Sequence, residues 1–288
     1  MVVGTVLIAA GLGGLVVWAA INERGAGIAC LSGLVAKGPR CCGEGQRILG
    51  DTCVEAPTGC PEQLSRLTRP SEEGCAAPEA RVAIRGGSLT MGPSDWESQG
   101  VIEARVVRVE PFLMDAYEVT IERWNACVRR GACEGRVDDE PGRPVTSVTP
   151  LGAGEFCRQA GGSLPTSDQW LFAAMGEGSR RFAWGHTGLV CRRAVYGRIK
   201  GPCGFGGRGP ELTGITPGGA SPEGVQDLIG NVAEWAREPD GTYYARGGSY
   251  RSQGAAELKS WSFERVPEGP RGQREPHVGF RCVYPATR

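Results

Sequence analysis

The sequence predicts a loop-rich α+β domain, preceded by a cysteine-rich segment and an apolar N-terminal segment. From about residue 82, short β-type runs such as RVAI, ARVVRVEPFLM and YYARGGSY occur among three short helical patterns. The chain contains 46 glycines, so many positions can adopt positive φ, and irregular structure should outweigh long helices and sheets. Because strands and helices do not alternate regularly, the order of elements favours an α+β domain at residues 82–288.

The first 21 residues, MVVGTVLIAAGLGGLVVWAAI, have no charged side chain. As a helix rising about 1.5 Å per residue, they would cross the roughly 30 Å hydrocarbon core of a bilayer. A cleaved signal peptide is the alternative, but the segment lacks a basic start and no small-residue cleavage motif follows directly. We therefore predict a transmembrane anchor at residues 1–22, with the membrane as a partner through residues 1–21.

The twelve cysteines form two groups of six, one on each side of residue 80. Behind an apolar segment, such cysteine usage indicates disulfides in an oxidising compartment, so we expect the C-terminal domain to be extracytoplasmic, in the periplasm or at the cell surface. Zinc is the competing interpretation, but the chain has two histidines and no CxxC pair. We therefore predict that residues 25–80 form a disulfide-stapled stalk. The sequence does not determine the disulfide pairing of its six cysteines, Cys30, Cys41, Cys42, Cys53, Cys60 and Cys75.

The charges of the chain balance, with 32 basic and 32 acidic side chains, and no stretch concentrates the basic residues. A nucleic-acid footprint would require such a concentration. We therefore expect no nucleic-acid partner.

Capping residues mark the starts of the three helices. Thr120 can cap IERWNACVRR, and Thr149 can cap the second helix with Pro150 in the first helical position. Thr166 and Gln169 have the spacing of a capping box at the start of the third helix. Gly161 supplies a left-handed stop after the second helix.

Seven motifs then occur in an order that resembles the formylglycine-generating enzyme, or sulfatase-modifying factor, family. They are GGSLTMG, VEPFLMDAYEVT, PVTSVTPLGAGEFCRQAGGSLPTSDQW, FAWG, DLIGNVAEW, RGGSY and VGFRC. The resemblance covers about 200 residues and nothing before residue 82. It implies a C-type-lectin-like fold with little regular secondary structure, in agreement with the pattern of elements.

Three disulfides are expected in the domain. Cys127 and Cys133 flank VRRGA, where a helix ends at glycine, and Cys191 and Cys203 bracket a glycine-rich loop. That leaves Cys157 and Cys282 for each other. The family resemblance implies the same third pair, because the bridge typical of the family joins the helix before LPT to the cysteine of GFRC.

The family's copper-binding cysteines are replaced in this chain. Resembling enzymes that oxidise cysteine to formylglycine place one cysteine three residues after the serine of RGGS and a second five residues later, and the two thiolates bind Cu(I). Those positions are Ser252 and Glu257 here, and no cysteine lies between Cys203 and Cys282. A hydroxyl and a carboxylate are hard ligands, whereas Cu(I) prefers soft sulfur. We therefore expect neither bound copper nor a catalytic residue at these two positions.

The resemblance also implies a calcium site in DLIGNVAEW. Transferred residue by residue, the ligands are carboxylates of Asp227 and Glu234 and carbonyls of Leu228, Gly230 and Val232. All are oxygen donors of the type that Ca²⁺ requires. The alternative is a tight turn in which Asp227 caps backbone amides and Glu234 pairs with an arginine.

Two classes of function follow. The first is a membrane-anchored binding module that holds a peptide or saccharide on a surface near residues 246–277, with candidate ligand-surface residues Ser249, Tyr250, Ser252, Glu257 and His277. The alternative is a formylglycine-generating oxidase, or a divergent oxidoreductase, that acts on a protein cysteine. Two serines, a glutamate and a histidine could in principle form a nucleophile with its base, but nothing in the sequence brings them together.

Overall fold

The computed structural model describes residues 79–91, 104–135, 140–203, 207–266 and 274–286, and the backbone of six short strands between residues 34 and 76. The transmembrane anchor predicted at residues 1–22 lies outside these residues. Among the described helices, none has the length and apolar character needed to cross a membrane.

Three antiparallel strand pairs occupy the segment predicted to be a stalk. They are β1 with β2, β3 with β4, and β5 with β6. Their bounds are Leu34–Lys37, Arg40–Gly43, Arg47–Leu49, Thr52–Val54, Ser65–Arg66 and Cys75–Ala76. The disulfide pairing of this segment lies outside what the structure describes, so the stapled stalk stays a prediction.

The remaining described strands form a hairpin and two small sheets. The hairpin joins β8 to β9, a three-stranded sheet has the order β15-β10-β7, and a four-stranded sheet has the order β13-β12-β11-β14. Strand β14 runs parallel to β11, and the other pairs are antiparallel. The bounds of β7 to β15 are Arg81–Ile84, Gly87–Met91, Arg105–Val109, Phe112–Asp115, Ala233–Arg237, Tyr243–Arg246, Phe263–Arg265, Val278–Gly279 and Val283–Pro285.

The three helices begin at the predicted caps. They are α1 (Ile121–Arg129), α2 (Pro150–Gln159) and α3 (Ser167–Met175). The hydroxyls of Thr120 and Thr149 accept hydrogen bonds from backbone N–H groups of the first turn, and Thr166 and Gln169 form the reciprocal capping box. Gly161 follows α2 with φ of 82°, in the left-handed region. The mixed content of helices and strands agrees with the predicted α+β class.

Aromatic side chains from distant parts of the chain fill the core between these elements. Trp124 of α1, Phe156 of α2 and Phe280 are in mutual contact, with ring centroids 5.4 to 6.1 Å apart. Trp170 of α3 and Trp235 of β11 are fully buried. Because buried aromatic rings exclude large areas from water, these residues hold the short elements together although the sheets are small.

Three disulfides close the described part of the domain, and they join the pairs expected from the sequence. The bridges are Cys127 with Cys133, Cys191 with Cys203, and Cys157 with Cys282. The described residues contain no free cysteine. The third bridge connects α2 to the last segment of the chain across a separation of 125 residues.

Removal of the long-range bridge should destabilise the domain most. In the chain-entropy model, a bridge across 125 residues removes about 5 kcal/mol of unfolded-state entropy, and one across 6 residues about 2 kcal/mol. We therefore expect Cys157→Ala with Cys282→Ala to lower the denaturation midpoint more than Cys127→Ala with Cys133→Ala, as measured by chemical denaturation. Equal losses for the two double variants would contradict this ranking.

Candidate functional site

The double glycine after β12 turns the chain so that the next serine lines a cleft. Gly247 and Gly248 have φ of 89° and 68°, which residues with a Cβ rarely adopt. A Cβ on Gly248 would lie 2.6 Å from the carbonyl oxygen of Glu257. The N–H of Gly230 donates to the carbonyl of Gly247 over 3.0 Å, so the RGGS turn is attached to the loop at residues 227–232.

The cleft beside this turn has a volume of about 290 Å³. Its polar and aromatic lining consists of Ser249, Ser252, Glu257, Ser262, Phe263 and Glu264, and the rest is alanine and glycine. The structure therefore brings three of the five predicted ligand-surface residues into one cavity. No lysine or arginine is among the lining residues.

Ser252 and Glu257, which stand where the resemblance implies cysteines, form hydrogen bonds to nearby backbone. The Ser252 hydroxyl accepts from the N–H of Ser249 over 3.1 Å, and Glu257 Oε1 accepts from the N–H of Gln253 over 3.0 Å. Ser252 is buried and Glu257 is exposed. The two side chains thus close local turns in this segment while they line the cleft.

A chain of polar side chains supports Glu264 in the cleft wall. Glu264 Oε2 lies 2.9 Å from Nε2 of His277, and the guanidinium of Arg251 lies 3.2 Å from Nδ1. Because arginine can only donate, Nδ1 accepts and Nε2 carries the proton that is donated to Glu264. The hydrogen bond from His277 holds the pKa of Glu264 below its ordinary value.

The other two predicted ligand-surface residues, Tyr250 and His277, do not line the cleft. Both are buried, with 2% and 7% exposure, and the Tyr250 hydroxyl accepts from Arg251 Nε over 3.2 Å. No hydrogen bond connects His277 with Ser249 or Ser252 within the described structure. The described residues therefore contain no nucleophilic serine hydrogen-bonded to a histidine base.

A buried ion pair lies behind the loop to which the RGGS turn is attached. Arg281 binds both carboxylate oxygens of Glu234, over 2.7 and 2.6 Å, and both residues are at most 1% exposed. The same guanidinium donates to the carbonyls of Asp115, Ala116 and Gln226. The indole N–H of Trp170 donates to Glu234 over 2.8 Å, so the carboxylate has three side-chain hydrogen bonds.

Two further carboxylates are buried near this pair. Glu118 accepts from the hydroxyl of Thr213, the amide of Asn231 and the N–H of Val232, over 2.7 to 3.1 Å. Burial, and then the negative charges of Asp227 and Glu234, raise the pKa of Glu118 well above its ordinary value. Burial likewise raises the pKa of Asp227, although hydrogen bonds from Gly214 and Thr216 oppose the shift.

The predicted calcium ligands are only partly available for a metal ion. The carbonyl oxygens of Leu228 and Gly230 accept no hydrogen bond from the described residues, which suits coordination. Both carboxylates, by contrast, already have protein donors: Asp227 accepts from a backbone amide and a threonine hydroxyl, and Glu234 pairs with Arg281. These are the contacts of the alternative interpretation, and a calcium ion would have to compete with them.

Sequence reasoning assigned no role to Glu118, Glu264 or Arg281. Glu118 and Arg281 belong to the motifs DAYEVT and VGFRC, but their partners lie 47 to 166 residues away in sequence. Glu264 lies outside all seven motifs. Its position in the cleft depends on the pairing of β13 with β12, where Glu264 lies opposite Ala245.

Comparison with known proteins identifies a family whose model matches most of the chain. The model of the sulfatase-modifying factor enzyme 1-like domain matches residues 67–286. The match thus begins within the segment predicted to be a stalk, earlier than the boundary expected at residue 82.

Curated relatives include proteins named as active and as inactive. The chain is 28% identical over 196 residues to the formylglycine-generating enzyme of Mycobacterium tuberculosis, covering 53% of this chain and 63% of that protein. It is 30% identical over 158 residues to the inactive C-alpha-formylglycine-generating enzyme 2 of Mus musculus, covering 50% of each. The chain thus spans less than two thirds of the length of either relative.

The fold is also similar to that of a solved structure, PvdO from Pseudomonas aeruginosa. The TM-score is 0.55 at 19% identity, and the match covers 72% of this chain and 94% of the other. At this level of identity, the match supports the fold alone.

Replacement of Arg281 should leave an unpaired buried carboxylate. We expect Arg281→Met to lower the free energy of unfolding by about 3 to 5 kcal/mol, because Glu234 would lose its counterion in a site without solvent. Chemical denaturation measures the loss. The matched control is Arg158→Met, which removes a surface pair with Glu155 and should leave stability nearly unchanged; a similar loss in both variants would contradict the role of the buried pair.

The calcium hypothesis stays a prediction and is tested by thermal melting. If Ca²⁺ binds only the folded chain, a hundredfold excess over Kd should stabilise it by about 2.7 kcal/mol. Asp227→Asn should reduce this gain, whereas Asp240→Asn, which changes a surface carboxylate, should preserve it. A melting temperature that does not change on thorough chelation and return of calcium would show the hypothesis to be wrong.

Proposed function

The chain belongs to the sulfatase-modifying factor enzyme 1-like domain family, and from this membership we propose that it is a binding module without the family's copper-dependent oxidase chemistry. The observation that carries the proposal is the chemistry of positions 252 and 257. A serine hydroxyl and a glutamate carboxylate line the cleft there, where the resembling oxidases place two thiolates.

The donors in and around the cleft do not fit Cu(I). The lining oxygens are hard ligands, whereas Cu(I) requires soft thiolate or thioether sulfur. The six cysteines between residues 79 and 286 are all engaged in disulfides, so none of these can supply a thiolate without reduction. No catalytic step through copper is therefore assigned to this chain.

The form of the cleft is consistent with binding. Ligand pockets usually have volumes of roughly 300 to 1,000 Å³, so a cleft of about 290 Å³ suits one side chain or one sugar ring. A rigid turn and a strand edge position its polar groups, which limits the reorganisation that binding requires. We propose a peptide or a saccharide as the ligand.

Display from a membrane is part of the same proposal. It rests on the uncharged segment at residues 1–21 and on the twelve cysteines, which together favour an anchored protein in an oxidising compartment. In that arrangement, the domain would face the periplasm or the cell surface.

A second candidate function is oxidation of a protein cysteine to formylglycine. The observation that favours it is the 28% identity to a protein named formylglycine-generating enzyme. The same comparison includes a relative named inactive at similar identity, so overall identity does not distinguish the two functions. The residues at positions 252 and 257 do distinguish them, and they favour binding.

The test is incubation of the purified full chain with Cu(I), oxygen and a peptide that contains CxPxR, followed by mass spectrometry of the peptide. We expect no conversion to formylglycine, because the cleft offers no thiolate pair. Conversion by the unaltered chain would overturn the proposal.

A designed gain of metal binding provides the positive control. The double variant Ser252→Cys with Glu257→Cys should acquire stoichiometric Cu(I) binding in competition with a chromogenic chelator, whereas Ser252→Cys alone should bind far more weakly. Thiol titration and peptide mapping must first show that the three native bridges are intact. If the unaltered chain held Cu(I) as tightly as the double variant, the argument from donor chemistry would be wrong.

A further inference from the structure

We propose that the cleft binds the basic side chain of a peptide, an ammonium or guanidinium group, between Glu257 and Glu264. This inference rests on the proposed function, since it identifies the chemical class of the ligand for the same cleft. Four features carry it: the charge of the walls, the free carboxylate oxygens, two hydroxyls that line the cleft and the size of the cavity.

The walls of the cleft carry negative charge. Among the described residues, Glu257 and Glu264 are the ionisable ones that line it, and none of the described lining residues is basic. The nearby guanidinium of Arg251 contacts His277 and the Tyr250 hydroxyl. Its charge helps to lower the pKa of Glu264, after the hydrogen bond from His277, but no hydrogen bond joins Arg251 to Glu264 in the described structure. An anionic ligand would therefore meet two carboxylates and no basic side chain among the described lining residues, whereas a cation would be attracted.

Each carboxylate has one oxygen available for a ligand. Glu257 uses Oε1 for the N–H of Gln253, and Glu264 uses Oε2 for His277. In the described structure, Glu257 Oε2 and Glu264 Oε1 accept no hydrogen bond from protein. The occupied oxygens fix the two side chains, and the free ones can accept from an ammonium with three donors or a guanidinium with five.

Two buried hydroxyls distinguish a peptide from a simple cation. Ser249 and Ser252 are 3% and 6% exposed, and each hydroxyl oxygen accepts one backbone N–H, from Arg251 and Ser249 respectively. Neither O–H proton has an acceptor among the described residues. Both serines line the cleft, so each O–H can donate to a ligand with a carbonyl oxygen, which a peptide carries beside its basic side chain.

The cavity admits one such side chain. Its volume of about 290 Å³ is at the lower limit for ligand pockets, so an oligosaccharide would extend well beyond it. The peptide backbone would then lie where its carbonyl oxygen can accept from the two serine hydroxyls. A single anchored side chain in a small pocket predicts weak affinity for one residue and tighter binding for a longer peptide.

The test uses isothermal titration of the full chain with capped single residues. The cationic probes are Nα-acetyl-arginine amide and Nα-acetyl-lysine amide, and the matched neutral probe is Nα-acetyl-citrulline amide, which keeps the shape of arginine without its charge. We expect the better cationic probe to bind at least about tenfold more tightly than citrulline, and its affinity to fall as salt is raised.

Variants assign the binding to the two carboxylates. Glu257→Gln and Glu264→Gln should each weaken the cationic probe about tenfold and leave citrulline binding nearly unchanged. Glutamine can keep the hydrogen bond to His277, so Glu264→Gln should retain its melting temperature. The matched control is Glu110→Gln, an exposed carboxylate that pairs only with Arg108 in the described structure and should leave probe binding unaltered.

The outcomes separate this inference from the proposed function. Equal binding of citrulline and arginine probes, preserved affinity in the double glutamine variant, no detectable binding of either cationic probe, or preferential binding of a methyl glycoside would each overturn the basic-peptide ligand. None of these results concerns the conversion of cysteine to formylglycine, so the non-oxidase proposal would stand. Conversion of the CxPxR peptide would overturn the non-oxidase proposal whatever the titration shows.

Discussion

The ion pair between Arg281 and Glu234 is the contact on which the rest of the domain depends. One guanidinium binds a carboxylate of β11, two carbonyls at the end of β10 and just after it, and the carbonyl that precedes the loop at residues 227–232. These groups are 47 to 166 residues away in sequence. Since a buried charge without a partner is strongly unfavourable, the pair excludes arrangements in which any of these segments is displaced.

The cleft depends on this pair although neither residue lines it. Asn231, in the loop beside Glu234, donates to Glu118 and accepts the N–H of Tyr250 through its carbonyl. The RGGS turn is therefore positioned by a network of buried charges and amides behind it. Three carboxylates and one guanidinium lie in this region, and the pKa of Glu118 is raised first by burial and then by that excess of acidic groups.

Much of the fold was predictable because its signals are local. Threonine caps, the proline at the start of α2 and the glycine after it act within a few residues, and all appear where the sequence places them. The cysteine pairs were predictable because two of them flank short loops, and the resemblance to the family implies the pair that remains. The partners of Glu118, Arg281 and Glu264 could not be predicted. They depend on how distant segments pack, which the spacing of residues along the chain does not determine.

The residues of the candidate site likewise fall into those that the sequence could locate and those that it could not. Ser252 and Glu257 could be located by counting from RGGS, and Ser249 belongs to that motif. Tyr250 and His277 were predicted as ligand-surface residues, but the direction of a side chain depends on tertiary packing, and both are buried behind the wall of the cleft. Glu264 enters the cleft through strand pairing, which local sequence does not specify for a strand of three residues.

The bridge between Cys157 and Cys282 has a consequence for how the chain is made. Residues 278–285 contribute β14, β15, the buried arginine and one cysteine of this bridge. During synthesis, they leave the ribosome after every other segment of the core. Until then, β10 lacks its partner strand β15, and the buried carboxylate of Glu234 lacks Arg281 as its counterion. The domain must therefore complete its folding late. Until Cys282 is available, Cys157 must not pair with the cysteines already synthesised.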